Sequence, residues 1–358
     1  MKTKPRYQEI FENLRQSILS GEREGEKLPS VQMLMRQYHV TRTTITRVME
    51  ELSAANLILR KQGSGTYIRH GSGQEKFCVA SIVAGTRAWE YYLPINSSIV
   101  AASREHNLTF LWSECRDFSM MDFRVSAKRF AERFRAENVR GVFFLPYEIS
   151  PDGATAARNR ELTDALDAIG IKIVLIDRDI VPFPGRSRYD LVGSDHVNIG
   201  YLQARHLIEN GSRKLVYVAK AHYPPEQNAR FIGMRCAAAE AGLNTPPPYY
   251  AGNANDPRFV RSVMKARPDG IVFISDDFAR DFTRTLQSIN GKKITFKYIG
   301  VDGLPLARKC ALATLQQASA SIGEEAVRLM SLRLHNDRSE PRQTLFPATL
   351  IPRASSMS

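Results

Sequence analysis

The chain of 358 residues is too long for one small domain and has ample length to bury more than one core. Its 50 Lys and Arg against 37 Asp and Glu leave a net charge of +13, which favours a polyanion or a negatively charged surface as partner. Four cysteines without paired spacing and the lack of any apolar run of bilayer-spanning length exclude a disulfide-stapled scaffold and a membrane-spanning one.

The first expected element is a helix from about Arg6 to Ser20, with Ile10, Leu14 and Ile18 on one stripe and Gly21 as its stop. The charged stretch 21–27 reads as a loop. Leu28-Pro29-Ser30 announces a short amphipathic helix carrying Val31, Leu34, Met35 and Tyr38, and His39-Val40 forms a tight turn. A further helix begins at Thr41, with Ile45, Val48, Met49 and Leu52 on its inner stripe. Its other face differs in kind. Arg42, Thr43, Thr44, Thr46 and Arg47 crowd the first two turns, and no acidic residue appears before Glu50. Hydroxyls and helix-start amides suit phosphate oxygens, and an Arg fork matches the two major-groove acceptors of guanine. Two strand-like runs follow, Leu57–Lys61 and Thr66–Arg69, around Gln62-Gly63-Ser64-Gly65. Residues 1–70 are thus expected to form a winged helix-turn-helix domain. They hold twelve Lys and Arg against seven Glu and no Asp, so positive charge is denser here than in the remainder.

The segment 71–76 has the composition of a flexible linker. From residue 77 to 358 strands alternate with helices, which points to open α/β sheets. Strands are expected at Cys78–Ala84, Leu108–Trp112, Gly141–Leu145 and Lys172–Asp177, with helices at Leu93–Glu105, Phe123–Glu137 and Asn159–Ile169 between them. The rhythm restarts at Leu191–Asp195, then a helix at Asn198–Asn210, a strand at Lys214–Val218, a helix at Asn228–Ala241, and strands at Gly270–Ser275 and Tyr298–Val301. Two similar lobes joined end to end account for this pattern. In open α/β sheets ligands sit at the carboxyl ends of strands, where Asp177, Asp195, Asp276 with Asp277, and Asp302 all fall.

Two resemblances sharpen this reading. Tyr7, Ile10, Leu14, Ile18, Ser20-Gly21, Leu28-Pro29-Ser30, Val40 to Thr44, Leu52 and Gln62 to Ile68 resemble the DNA-binding domain of the gluconate-repressor (GntR) family. The resemblance implies DNA contacts from Arg42, Thr43 and Thr44, and a wing tip at Gln62 and Gly63 that approaches the minor groove. Gln32 and Thr46 stand where the family commonly has Arg, and Arg47 is expected to take over a phosphate contact. Residues 77 to 353 carry Leu175-Ile176-Asp177, Asp195 to Gly200, Gly211 to Leu215, Arg230 to Met234, Ser275-Asp276-Asp277, Ile299 to Asp302 and Leu315-Gln316-Gln317. These runs resemble the effector domain of the lac and galactose repressor group, which is similar to periplasmic sugar-binding proteins. The implied fold is a two-lobed, type I periplasmic-binding-protein-like domain. By the same resemblance Asp177, Arg230, Asp276, Asp302 and Gln317 line the cleft between lobes, and Trp89 supplies an aromatic lid. Gly252-Asn253-Ala254-Asn255 lacks the aromatic residue that the group often places there.

The expected protein is a cytoplasmic, effector-responsive transcription regulator, a repressor that binds double-stranded operator DNA as a homodimer. One recognition helix covers too few base pairs, and paired half-sites match two-fold symmetry. A carbohydrate is the expected effector, with no cofactor, metal or membrane partner. The rival class is a solute-binding protein without gene control; a third is a sugar-active enzyme with a regulatory head. Against catalysis stands the lack of a P-loop, a G-x-S-x-G elbow and an H-E-x-x-H pair. His196 and His206 read as satisfied or exposed histidines and not as catalytic bases, and Cys78, Cys115, Cys236 and Cys310 as buried free thiols.

Overall fold

The computed structural model describes residues 6–19, 27–54, 57–61, 64–68, 76–83, 89–111, 127–148, 153–221, 225–243, 247–291 and 294–357. Backbone contacts divide the chain into two compact units, Met1–Phe77 with Ser103–Thr109, and Cys78–Ala102 with Phe110–Ser358. The expected helix stop at Gly21, the residues 71–75 of the expected linker, and Cys115 lie outside the described residues.

The N-terminal region folds as three helices and a two-stranded wing. Helix α1 spans Arg6–Leu19, α2 Val31–Tyr38 and α3 Arg42–Ala54. α2 starts where expected because the Ser30 hydroxyl accepts from the backbone N–H of Met33 at 3.3 Å, satisfying an orphan amide of the first turn. It ends at His39, whose left-handed φ of 51° turns the chain into α3. α3 packs on both α1 and α2. The predicted stripes do the joining: Ile10, Leu14, Ile18, Leu34, Ile45, Val48, Met49 and Leu52 are all buried in one cluster. Each such side chain contributes about 1.5–3 kcal/mol by leaving water. β1 (Ile58–Lys61) and β2 (Gly65–Ile68) pair antiparallel from Ile58 opposite Ile68 to Lys61 opposite Gly65. The Leu28 amide donates to Thr66 at 2.8 Å and ties the α2 approach to this hairpin.

Among the described residues the region after residue 76 holds two large sheets and one small two-stranded one. A six-stranded one runs in the order β13 (Gln343–Phe346), β7 (Asp190–Ser194), β6 (Lys172–Ile176), β5 (Val139–Leu145), β3 (Phe77–Val83), β4 (Leu108–Leu111). The pairings β3 to β5, β5 to β6, β6 to β7 and β7 to β13 are parallel. Such strands are covered on both faces and read as near-continuous apolar runs, as Val142 to Leu145 do. A four-stranded parallel sheet runs β11 (Lys297–Ile299), β10 (Gly270–Phe273), β8 (Leu215–Lys220), β9 (Tyr249–Gly252). α4 (Trp89–Glu105), α5 (Ala127–Ala136) and α6 (Ala154–Asp167) intervene among the strands of the first sheet. α7 (His196–Glu209), α8 (Pro225–Glu240), α9 (Pro257–Met264), α10 (Asp276–Asn290) and α11 (Pro305–Lys309) belong to the second lobe.

The two lobes are not joined end to end as the sequence rhythm suggested. β7 belongs to the first sheet, so the chain crosses to the second lobe at Asp195. It returns after β12 (Thr314–Gln316): α12 (Ser319–Leu334) packs on β5, β6 and β7, and β13 adds to the first sheet beside β7. A third crossing leads to β14 (Thr349–Ile351), which pairs antiparallel with β12. Ile199, Val301, Leu315 and Ala348 form a small buried cluster on these crossing segments. Arg333 of α12 clamps Asp190 of β7 with two hydrogen bonds, at 2.6 and 2.8 Å, which fixes the returned helix on the first sheet. Cys236 and Cys310 are exposed and Cys78 half-buried, correcting the expectation of buried thiols; no helix among the described residues is long and apolar enough to cross a membrane.

α7 and α8 touch backbone to backbone. A Cβ on Gly200 would meet the Arg230 carbonyl oxygen at 1.8 Å, and one on Gly233 the Val197 carbonyl oxygen at 1.9 Å. Both glycines are therefore needed by close approach, and the crossing holds His196 and Arg230 side by side. Gly233→Ala is expected to destabilise the effector domain by about 1–3 kcal/mol or more through overpacking. A thermal midpoint equal to wild type would show that these helices part freely.

Candidate functional site

Arg42 and Thr43 stand exposed on the first turn of α3, while Thr44 and Thr46 are half-buried. Thr41 and Thr44 share a hydroxyl hydrogen bond at 3.0 Å, so one of the expected contacts is already partly engaged within the helix start. Arg47 is exposed but folded back. Its guanidinium carbon lies 3.8 Å from the centre of the Tyr7 ring, its Nη2 donates to the Tyr7 hydroxyl at 3.0 Å, and its Nε lies 3.5 Å from Glu51. The expected phosphate ligand thus also braces α3 against α1. Gln62 and Gly63 lie outside the described residues; beside them the Ser64 and Tyr67 hydroxyls bond at 2.7 Å, with Lys27 over the Tyr67 ring. A groove along the α2–α3 turn is lined by Gln32, Arg36, His39 and Thr41. Arg36 and His39 are cationic or titratable groups that sequence reasoning left out, because their spacing marked only the turn.

Between the lobes, the residues named from the sequence come together with others that were not. Asp177 follows β6 in the left-handed region at φ 65°, buried, with its amide on the Val192 carbonyl. Its Oδ1 lies 3.1 Å from His196 Nε2, and His196 Nδ1 accepts from Arg230 Nε at 3.2 Å. Arg230 also donates to the Ile274 carbonyl at 2.6 Å. On a second path, Ser194 at the end of β7 donates to Gln317, and Gln317 donates to Asp302 Oδ1 at 2.9 Å. A third contact sits at the rim, where Glu148 Oε1 lies 3.7 Å from Arg178 and 3.9 Å from Lys220. Trp89 opens α4, and its side chain lies outside the described residues. From sequence His196 reads as a satisfied or exposed side chain, although it stands directly after the post-strand Asp195, where ligand groups are sought.

Asp276 and Asp302 carry the electrostatic signature of the cleft. Asp276 opens α10, fully buried, and its Oδ2 accepts from the Leu304 amide at 2.9 Å. Burial pushes its carboxyl up to about 7, against the pull of Thr314 and the Leu304 amide, with Asp277 adding to the rise. Asp302, half-buried beyond β11, is raised well above the ordinary range by desolvation, opposed by Arg230. Its φ of 112° is a conformation that a non-glycine residue adopts only at a cost of about 1–3 kcal/mol. Such strain accumulates where a side chain must be aimed. Among the described residues no group of three or more His, Cys, Asp or Glu is arranged to hold a metal.

Residues 6–68 match the model of bacterial regulatory proteins of the gntR family, and residues 204–356 match the periplasmic binding protein-like domain. The arabinose metabolism transcriptional repressor of Halalkalibacterium halodurans is 25% identical over 354 residues, covering 91% of this chain and 90% of its own. The transcriptional repressor PurR of Mannheimia succiniciproducens is 25% identical over 173 residues, 45% of this chain and 52% of that protein. A ribose-bound LacI family regulator from Enterococcus faecium superposes with a TM-score of 0.61 at 17% identity, covering 78% of this chain and 98% of its own. The fold and these matches define a DNA-binding transcriptional regulator. Over residues 6–68 the chain carries a domain that matches the gntR-family model, followed by a two-lobed domain with the fold of periplasmic binding proteins and LacI-family structures.

The raised carboxyl of Asp276 has a signed consequence for stability. A folded-state value near 7, above the unfolded one, means that wild type loses stability as pH rises from about 4 through about 7. Asp276→Asn removes that titration while keeping an acceptor for Leu304. The variant's stability relative to wild type is expected to rise by about 1 kcal/mol between pH 6 and pH 8. Parallel melting curves across that window would show the raised value to be absent.

Proposed function

We propose that this regulator is an operator-binding repressor whose grip on DNA is set by a small carbohydrate in the interlobe cleft. The observation that supports the reading is that Asp177 meets Arg230 through His196, Gln317 holds Asp302, and Arg230 acts electrostatically on Asp302, so groups from both lobes and from the crossing segments stand near one another. Carboxylates, a guanidinium and an amide hold sugar hydroxyls in paired hydrogen bonds. The relative that matches nine-tenths of the chain is named for arabinose metabolism, which supports a sugar as the effector class. On the DNA side, Arg42, Thr43 and Thr44 are read as the base and phosphate contacts, with Thr46, Gln62 and Gly63 as supporting ones. Arg47 serves phosphate only if it leaves Tyr7, so its first role is to brace the reader.

The chain acts as a two-fold dimer in this reading, because one reader spans too few base pairs for useful specificity. No catalytic step is assigned to it. A solute-binding protein without gene control is disfavoured by the GntR domain at residues 6–68.

Arg42→Ala is expected to weaken binding to DNA from upstream of its own gene by roughly 1–3 kcal/mol, the usual worth of a base-reading fork. Wild-type affinity in a gel shift would remove Arg42 from the reader. A thermal-shift screen of neutral pentoses and hexoses is expected to find a stabilising sugar. Asp302→Ala should abolish that shift and leave DNA binding intact; a retained shift would place the sugar elsewhere.

A further inference from the structure

None of the effector residues above includes His196, yet it stands between two of them. It opens α7 and is buried at 8% exposure. Nδ1 accepts from Arg230 Nε at 3.2 Å. Nε2 faces two oxygens of Asp177, the backbone carbonyl at 3.3 Å and the carboxylate Oδ1 at 3.1 Å. An arginine Nε–H only donates, so Nδ1 carries no hydrogen; a carbonyl and a carboxylate only accept, so Nε2 carries it. The contacts specify one tautomer of the neutral ring. Arg230 Nη1 is in turn committed to the Ile274 carbonyl at 2.6 Å. With Nε and Nη1 both engaged, the guanidinium plane is held at two points, and among the described residues Nη2 makes no hydrogen bond, which leaves it to meet a ligand.

We infer that His196 is a positioning residue of the effector cleft, whose neutral, Nε2-protonated ring sets the orientation of Arg230. The chain from Asp177 through His196 to Arg230 starts in the first lobe and ends in the second. Proton uptake at Nδ1 sets one N–H against another and adds positive charge beside the guanidinium. The imidazolium keeps Asp177 and releases Arg230. The charged groups lining the cavity around the ring are Asp177, Arg178 and Asp179 at the end of β6, Arg186 in the loop beyond, and Asp195 before α7, with Arg230 from α8 completing the set. Asp179 is held by the Val181 and Ser187 amides, and Asp195 caps α7 at the Asn198 amide. Asp177 is thus the carboxylate in contact with the ring, and Arg230 is the cation that a charged ring expels.

The inference takes its functional meaning from the effector reading, but its test needs no sugar, so the two can fail separately. The full-length chain, labelled with nitrogen-15 at His and Arg, is followed by NMR without ligand from about pH 5.5 to about pH 8.5, where imidazoles ordinarily titrate. Wild type is compared with His196→Gln and Arg230→Met, which assign the two side chains. Expected at the alkaline end is a His196 signal with Nδ1 bare and Nε2 protonated. On acidification both nitrogens move to imidazolium positions, the Arg230 Nε–H signal shifts along the same curve, and His196→Gln abolishes that shift. A wild-type ring protonated at Nδ1 when neutral, or an Arg230 signal that titrates unchanged in His196→Gln, overturns the inference. Should His196→Gln fail to fold, the wild-type tautomer and the shared titration decide by themselves.

Discussion

Charge withdrawn from water must be answered by a partner, and this chain concentrates such charge where its two lobes meet. Asp177, Arg178, Arg230 and Asp276 are all less than a tenth exposed. Each buried ion costs several kcal/mol unless paired, so the strand ends of one lobe are bound to complement those of the other. Protein groups answer part of that demand along three paths across the cleft: Asp177 through His196 to Arg230, Ser194 through Gln317 to Asp302, and Glu148 to Arg178 and Lys220. A ligand rich in hydroxyls can replace several of these partners at once. It shifts the lobes only by as much as it prefers one arrangement to the other.

The threefold crossing of the chain is what makes this arrangement available. Because β7 and β13 lie in one sheet and α7 and β12 in the other lobe, residues at each crossing, His196 and Gln317 among them, sit at the seam by construction. The DNA reader obeys a different rule. Its small core fixes α3 through an apolar stripe, and its opposite face offers Arg42 and the threonines with no acid before Glu50. Arg47 joins the two halves of that design, since its stacking on Tyr7 ties the reading helix to α1.

Much of this was legible in the residues themselves. The stripes of α1 and α3 follow helical spacing and are buried throughout; of the α2 stripe Leu34 is buried, while Val31, Met35 and Tyr38 pack half-buried against the same cluster. The central strands of both sheets were visible because parallel strands are apolar throughout, whereas β9 and β13, half-exposed at the sheet edges, were not read. The order of strands was not, because a strand's neighbour can lie far along the chain: Gln343 pairs with Leu191 through backbone groups that leave no trace in composition. α9 and α12 went unread for related reasons. α9 is short, and the apolar residues of α12 serve a sheet formed much earlier in the chain. The cleft carboxylates were readable as post-strand aspartates. The role of His196 was not, since it depends on Arg230 reaching it across a helix crossing that Gly200 and Gly233 permit.

The central claim is that a metabolite in the cleft changes how tightly the N-terminal domain holds duplex DNA. Fluorescence anisotropy on labelled DNA from upstream of the protein's own gene, repeated at fixed salt with each of a panel of sugars, measures that coupling directly. At least one sugar should change the DNA dissociation constant by about tenfold, a coupling of about 1.4 kcal/mol. Tight DNA binding that no sugar alters, or no DNA binding at modest ionic strength, would contradict it.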